Sequence, residues 1–331
     1  MIYSRRKRHN SRCEDMIKPT VVSLFSGIGG MDIAFQQAGF EVIWANEKDS
    51  QACITYRNNF PGNLLVESDI LIVDENKVPQ ADVLIAGFPC QSFSIMGYQR
   101  GFKDARGNLF FEIARIAERV KPKVIFLENV RNLIYHDNGR TFITIFNTLA
   151  NLGYWVKYAV QNAKTHGNIP QERSRTFVAA FYDLNMANEF SFPTEISLTK
   201  TLDDIINRSI KHDERYYYHA NSRYYEALNS NIKDKTGIYR IDDSGVAKRK
   251  YINSPTLKAN MGTYPDRVPV IRDVFGIRKI TPYECLALQG FPKDFIMKNI
   301  SLESAYKQCG NTVCVPVVRR IATNILAVMQ K

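Results

Sequence analysis

Cys90 lies directly after Pro89 in AGFPCQSFS, at the close of the apolar run 82–86. A thiol held by a proline and followed by polar Gln91 and Ser92 suits a rigid, accessible nucleophile, although a buried thiol ending a strand is the simpler alternative. Glu128, in LENV, closes a second apolar run. It offers a carboxyl as acid or hydrogen-bonding partner to that nucleophile, or merely as a cap for the next helix. In QERSR (171–175) an extended backbone would put Gln171, Arg173 and Arg175 on one side, and two arginines facing one way suit an anionic or carbonyl-rich substrate. LFSGIGGMD (24–32) is a glycine-rich turn whose N–H groups can meet a ligand closely. Glu47 follows twenty residues after Gly27, where an acid accepts hydrogen bonds from ribose hydroxyls. Asp32 occupies the place of the third glycine of a dinucleotide fingerprint, so an adenosine ligand without a pyrophosphate matches at least as well. Asp69 lies further along the same edge. The stretch 91–108, with Arg100, Lys103 and Arg106, reads either as a mobile basic lid or as a long polar loop.

These groups need elements to position them, and residues 20–185 alternate short apolar runs with helical stretches, the pattern of an α/β domain. Strands are expected at 20–25, 40–45, 82–86, 123–127, 154–160 and 176–182, with a weaker one near 64–66. Helices fit at 30–38, 49–58, 109–119 and 141–152, two of them closed by Gly39 and Gly153. Seven strands with interleaved helices imply a doubly wound, mostly parallel sheet, and ligands in such sheets bind beyond the carboxyl ends of the strands. Glu47, Cys90 and Glu128 sit at such ends and Asp69 after one, whereas QERSR lies just before the 176–182 strand. From about residue 184 the chain turns polar, tyrosine-rich and turn-rich, which implies a second, smaller, irregular β-rich domain at 186–275. Its tyrosines are expected mainly to pack its own core. Thr281-Pro282-Tyr283-Glu284 then reads as a capping box starting a helix that ends near Gly290. The amphipathic stretch 315–329 is expected to return to the first domain, which would make that domain discontinuous: 20–185 with 276–331.

The 331 residues are 45% hydrophobic, more than one core usually organises. The net charge of +11 favours a polyanionic partner, but the excess lies at the ends, in a basic tail at 1–19 and after 276, while 20–185 balance. The six cysteines show no metal-ligand spacing, and no metal is expected. They read as reduced thiols, mostly core filler. No run approaches the ~18 apolar residues of a membrane span, and the basic start is not followed by a signal-type stretch. A cytosolic protein without membrane contact is expected.

Taken in order, SLFSGIGG, the acid of ANEKD, SDI, AGFPCQSFSIMG, LENV, QERSR, RKITPYECLALQGFP and YKQCGNTV resemble the C5-cytosine DNA methyltransferases. The likeness is to the compact single-chain enzymes of bacterial restriction-modification systems, and it covers most of 20–185 and 278–313. It implies the methyltransferase type of sheet, S-adenosylmethionine as methyl donor, S-adenosylhomocysteine as product, and double-stranded DNA as partner. By matching position, Phe25 would stack on the adenine and the turn Gly27-Ile28-Gly29-Gly30 would pass the methionine part. Glu47 would bind the ribose, Asp69 and Ile70 would meet the adenine edge, and Pro89, Asn311 and Val313 would complete the pocket. Cys90 would add to carbon 6 of the base, with Glu128 at ring N3, Arg175 at the O2 carbonyl and Arg173 in support. The base would be flipped under the 91–108 loop. Gln91, Ser94, Arg100, Lys103, Thr256 and Leu257 are the expected DNA contacts. The chain departs from many members at Lys48, where they carry an aromatic or apolar neighbour of the ribose acid, and at Ser68, where glycine is common.

The resemblance further implies a monomer, bacterial or phage-borne, with a cognate restriction endonuclease acting separately. The alternatives are the related tRNA-methylating type, a non-enzymatic DNA-binding regulator, and a nicotinamide-dependent oxidoreductase. The S-F-S after the Cys90 motif and the size of the middle domain favour DNA over tRNA. The intact set Cys90, Glu128, Arg173 and Arg175 speaks against a regulator, and Asp32 against the nicotinamide reading.

Overall fold

The computed structural model describes residues 18–62, 64–89, 109–241, 250–263 and 267–331. Cys90, Gln91, Ser94, Arg100 and Lys103, with most of the expected basic tail, lie outside the described residues.

The chain opens with β1 (Thr20–Leu24), α1 (Gly30–Ala38), β2 (Glu41–Glu47), α2 (Ser50–Asn59), β3 (Leu64–Glu67) and β4 (Val83–Gly87). It continues through α3 (Leu109–Val120), β5 (Val124–Val130), α4 (Arg140–Asn151), β6 (Trp155–Asn162), α5 (Ala163–Gly167), β7 (Gln171–Glu172) and β8 (Ser174–Phe181). All of these strands except β7 form one seven-stranded sheet in the order β3-β2-β1-β4-β5-β8-β6, in which only β8 runs against its neighbours. Successive residues point to opposite faces: Val21, Ile85 and Phe126 join the core beneath α1, while Val22, Leu84 and Ile125 join the core with α3 and α4. Burial on both sides explains why the strands read as unbroken apolar runs. The strand order reverses between β1 and β4, and that switch point opens a cleft at the carboxyl edge.

Beyond β8 come α6 (Leu184–Glu189), α7 (Tyr225–Asn231), β9 (Ile238–Tyr239), β10 (Lys250–Tyr251), β11 (Ser254–Pro255), β12 (Val270–Arg272) and β13 (Ile277–Lys279). A small antiparallel sheet, β10-β9-β12-β13, closes over Leu228, Ile232, Tyr239, Ile241, Val270 and Ile277. Tyr218 and Tyr224 pack against that cluster, as expected for the tyrosines. Contacts run across both expected boundaries, 185/186 and 275/276. Phe190 still packs on Phe181 at 4.9 Å between ring centroids, and Asn168 still accepts from the Thr199 N–H. At the other end β13 pairs with β12 in the small sheet.

The Thr281–Glu284 capping box is present and starts α8 (Pro282–Ala287). Next come α9 (Leu302–Asn311), read from sequence only as a motif, and α10 (Val315–Met329). Val318, Ile321 and Ile325 bury the apolar face of α10, and the helix packs on α1 as expected. The joint between small sheet and α8 is polar: the fully buried Arg278 donates to Asp273 at 2.7 Å and to both carboxylate oxygens of Glu284 at 2.8 Å.

Candidate active site

The turn after β1 is built from left-handed backbone. Phe25 (φ 53°), Gly27 (φ 56°) and Gly29 (φ 83°) all have positive φ, and a bulky residue held there costs about 1–3 kcal/mol, the kind of strain that collects at ligand sites. The turn is locked to the end of β2. Gly27 N–H donates to Glu47 Oε2 at 2.9 Å, while Lys48 and Asp49 N–H groups donate to Glu47 Oε1 at 2.8 Å. Three amides use three of the roughly four acceptor positions of a carboxylate. Glu47 therefore faces the cleft already oriented, with capacity left for a hydroxyl.

Asp69 caps the short 3-10 turn Ile70–Ile72, accepting from Leu71 N–H at 3.1 Å. Beneath the turn, Asp32 is fully buried and accepts from Tyr56 OH at 2.9 Å and Ser23 Oγ at 3.0 Å. Burial, opposed by those two hydroxyls, pushes its carboxyl up to about 6.

At the other end of the cleft, Glu128 on β5 sits beside Gly87 on β4. A Cβ at Gly87 would stand 3.2 Å from Met31 and 3.6 Å from Glu128 Oε2, so the glycine leaves room for the carboxyl. Glu128 is 8% exposed, and Arg175 Nε lies 3.1 Å from its Oε1. Burial raises the affinity of Glu128 for its proton, against the pull of Arg175 and then Arg173. Such a carboxyl can donate a hydrogen bond to a ring nitrogen, and the guanidinium beside it can meet a carbonyl oxygen. Asn129 next to it donates to the Phe88 carbonyl at 2.8 Å and so anchors the strand end that leads through Pro89 to Cys90.

The QERSR run is not one extended strand. Arg173 N–H turns back to the Gln171 carbonyl at 3.1 Å, which separates β7 from β8. Gln171 is consequently buried, donating to the Leu288 carbonyl at 2.6 Å, and does not line the cleft. Arg173, only 2% exposed, donates to the Leu257 carbonyl at 2.9 Å, the Gly310 carbonyl at 3.2 Å and the Thr312 carbonyl. It ties three distant segments together, and Arg175 alone pairs with Glu128. The expectation of three side chains on one side is thus corrected by the turn at Arg173.

The Thr256-Leu257 pair reaches the cleft because β11 pairs in parallel with β7. Leu257 is 1% exposed and belongs to the main core, so its side chain offers no surface to DNA. Thr256 is half-buried and donates to the Glu172 carbonyl. Asn311 is exposed at the cleft and Val313 is buried against α1. A Cβ on Gly30 would fall 2.3 Å from Thr312 Oγ1, and one on Gly310 2.1 Å from the Lys258 carbonyl oxygen, so both glycines are needed for close approach.

Phe25, Gly27, Ile28, Gly30, Glu47, Asp69, Ile70, Pro89, Glu128, Arg173, Arg175, Asn311 and Val313 thus all line one cleft of about 640 Å³. That volume is within the range of small-ligand sites. Sequence reasoning missed Asp49, Lys307 and Gln308, which close the cleft through Lys307–Asp49 (2.7 Å) and Thr55–Gln308 (2.8 Å) pairs. The signal available was that Gln308 lies within the YKQCGNTV motif. Cys53, Cys285, Cys309 and Cys314 are free and buried, and burial pushes the Cys53 and Cys314 thiols up to about 12. Among the described residues no single helix is long and apolar enough to cross a membrane.

Comparisons with known proteins agree with this geometry. The family model of the C-5 cytosine-specific DNA methylases matches residues 19–327. The Type II methyltransferase M.Bsp6I of Bacillus sp. (strain RFL6) is 47% identical over 308 residues, covering 92% of this chain and 98% of that protein. M.HhaI of Haemophilus parahaemolyticus is 37% identical over 313 residues, covering 92% and 93%. Among solved structures, a putative DNA modification methyltransferase from an E. coli prophage shares the fold with a TM-score of 0.70 at 21% identity, over 95% of this chain and all of that one. A DNMT2 variant of Spodoptera frugiperda also gives 0.70, at 20% identity, over 93% of this chain and all of that one. The chain therefore belongs to the C-5 cytosine-specific DNA methylase family and is a DNA (cytosine-5)-methyltransferase.

Proposed function

We propose that the β1–β2–β3 end of the cleft holds S-adenosylmethionine and that a cytosine flipped out of duplex DNA meets it at Glu128. The observation that carries this reading is the coexistence, in one cleft, of a pre-oriented Glu47 beside the glycine turn and a buried Glu128–Arg175 pair. Glu47, Asp69, Ile70 and Phe25 fit the adenosine part, and the Gly27–Gly30 turn and Asn311–Val313 fit the remainder. When bound, the donor supplies an electrophilic methyl group.

The rest is the work of this chain. Cytosine carbon 5 is a poor nucleophile, so the Cys90 thiolate adds to carbon 6 and loads electron density onto carbon 5. Glu128, holding its proton, donates to N3 and offsets the charge of that addition, while Arg175 donates to the O2 carbonyl. Once carbon 5 has taken the methyl group, which leaves S-adenosylhomocysteine, loss of the carbon 5 proton and expulsion of Cys90 restore the aromatic ring. Arg173 acts as a positioning residue. Gln91, Ser94, Arg100 and Lys103 would contact the DNA as the base leaves the stack. Thr256 would reach it from the small domain, for which we retain 186–275 against a catalytic domain of 20–185 and 276–331.

The Type II names of the relatives support a restriction-modification role with a separate endonuclease. We further read the protein as a cytoplasmic monomer. Base-resolution sequencing of 5-methylcytosine in DNA treated with pure protein and S-adenosylmethionine tests the reading. One short motif should be methylated and Cys90→Ser should abolish it; a Cys90→Ser protein that methylates at a comparable rate would remove the covalent mechanism. Target DNA carrying 5-fluorocytosine should trap an adduct through Cys90, since fluorine cannot leave as a proton does.

A further inference from the structure

Asp32, buried beneath the glycine turn, is the centre of a polar chain that reaches three strand ends. Its Oδ1 accepts from Tyr56 OH on α2 at 2.9 Å, and its Oδ2 accepts from Ser23 Oγ on β1 at 3.0 Å. The Ser23 hydroxyl in turn lies 3.1 Å from Ser26 Oγ, inside the turn, and the Ser26 N–H donates to the Asn46 carbonyl at 3.0 Å. The buried Asn46 amide ends the chain, donating to the Val66 and Ser68 carbonyls at 3.0 and 2.9 Å. The chain thus joins the ends of β1, β2 and β3, although neither Tyr56 nor Asp32 lines the cleft.

Tyr56 supports the turn by its ring as well. The ring stacks on Phe60 with centroids 4.4 Å apart, and the Gly29 backbone rests on the pair: a Cβ there would fall 2.2 Å from Phe60 and 3.2 Å from Tyr56. Elsewhere α2 grips the C-terminal wall of the cleft. Thr55 Oγ1 donates to Gln308 Oε1 at 2.8 Å, Lys307 meets Asp49 at 2.7 Å, and Asn59 exchanges hydrogen bonds with the Ile296 backbone at 2.8 and 2.9 Å. The helix is therefore a brace between the turn and the segment that leads to Asn311 and Val313. A turn that carries a phenylalanine at φ 53° keeps its shape only where its surroundings over-determine it.

We propose that Tyr56 is a positioning residue for the methyl donor. Through Asp32 and Gly29 it holds the glycine turn against α2, and so keeps the turn in register with the C-terminal wall. It lies outside the cleft and acts on the cleft's shape. The proposal rests on the reading of this cleft as the S-adenosylmethionine site.

Tyr56→Phe keeps the ring under Gly29 and removes the hydroxyl. Calorimetric titration of the full-length variant, well below its melting temperature, should give a Kd for S-adenosylhomocysteine about three- to tenfold above that of the parent. A turn that spends only part of its time in the competent shape binds in proportion to that fraction. Methylation assays should place the loss on KM for S-adenosylmethionine, with kcat at saturating donor near the parent value. Ser23→Ala breaks the chain on the other side of Asp32 and should act in the same direction. The double variant should bind more tightly than the product of the two losses predicts, because both act through one carboxyl. A parent-like Kd in both folded variants, with only the melting temperature lowered, would reduce Tyr56 to a structural support and overturn the proposal. A folded parent that does not bind S-adenosylhomocysteine would sink the donor reading as well, which tells the two failures apart.

Discussion

Asp32 offers a test in which the structure dictates both sign and size. Its carboxyl is fully buried beneath the glycine turn and titrates near 6 in the fold against an ordinary value of 3.8. A raised carboxyl contributes stability that is fully present below about pH 4 and is lost as pH rises through about 6. At 1.36 kcal/mol for each tenfold change in proton affinity, ionisation costs the fold about 3 kcal/mol at pH 8. Asp32→Asn removes the charge and keeps an oxygen to accept from Tyr56 OH, and the Ser23 hydroxyl can rotate to accept from the new amide. Urea unfolding followed by tryptophan fluorescence should find the variant about 2–3 kcal/mol more stable than the parent at pH 8. The gain should shrink towards zero near pH 4. A variant destabilised equally at both pH values would refute the argument, because the carboxylate would then contribute only as a hydrogen-bond acceptor.

The other expectations concern the two ends of the cleft and its joint. Glu128→Gln should slow single-turnover methylation by about 10²–10⁴ with donor affinity, read by titration, unchanged. Because burial raises the pKa of Glu128 and the role proposed for it needs the protonated form, the parent rate should fall as pH rises through that pKa. Arg173→Met should lower stability by about 3 kcal/mol or more in a denaturation experiment, since three buried carbonyls lose their donor. Gly310→Ala should cost about 1–3 kcal/mol and weaken S-adenosylhomocysteine binding, because the new methyl meets Lys258 backbone, which cannot yield as a side-chain tip can.

Much of the scaffold was legible because its signals are local. α1 and α10 were placed to the residue, α8 through its capping box, and the strands to within a few residues, since periodicity, glycine caps and prolines act over one or two turns. α9 was missed as a helix although Ser301 caps it at Ser304, because its glycine, cysteine and polar residues were read as a motif. The small sheet is made of strands of two or three residues, too short to leave a periodic trace.

What the sequence determined by itself is the chemistry on offer: an ordered series of short motifs, most of them beside a strand end, whose residue types offer a thiol, a carboxyl, a guanidinium and a second acid beside a glycine turn. The tertiary structure decided which of them meet. Arg175 rather than Arg173 faces Glu128, because a turn at Arg173 breaks the strand. Leu257 belongs to the core and not to a DNA-facing surface. Asp69 is tied to Lys48, twenty-one residues away. These partners lie far apart along the chain and are joined by packing, so spacing within a motif carries no record of them.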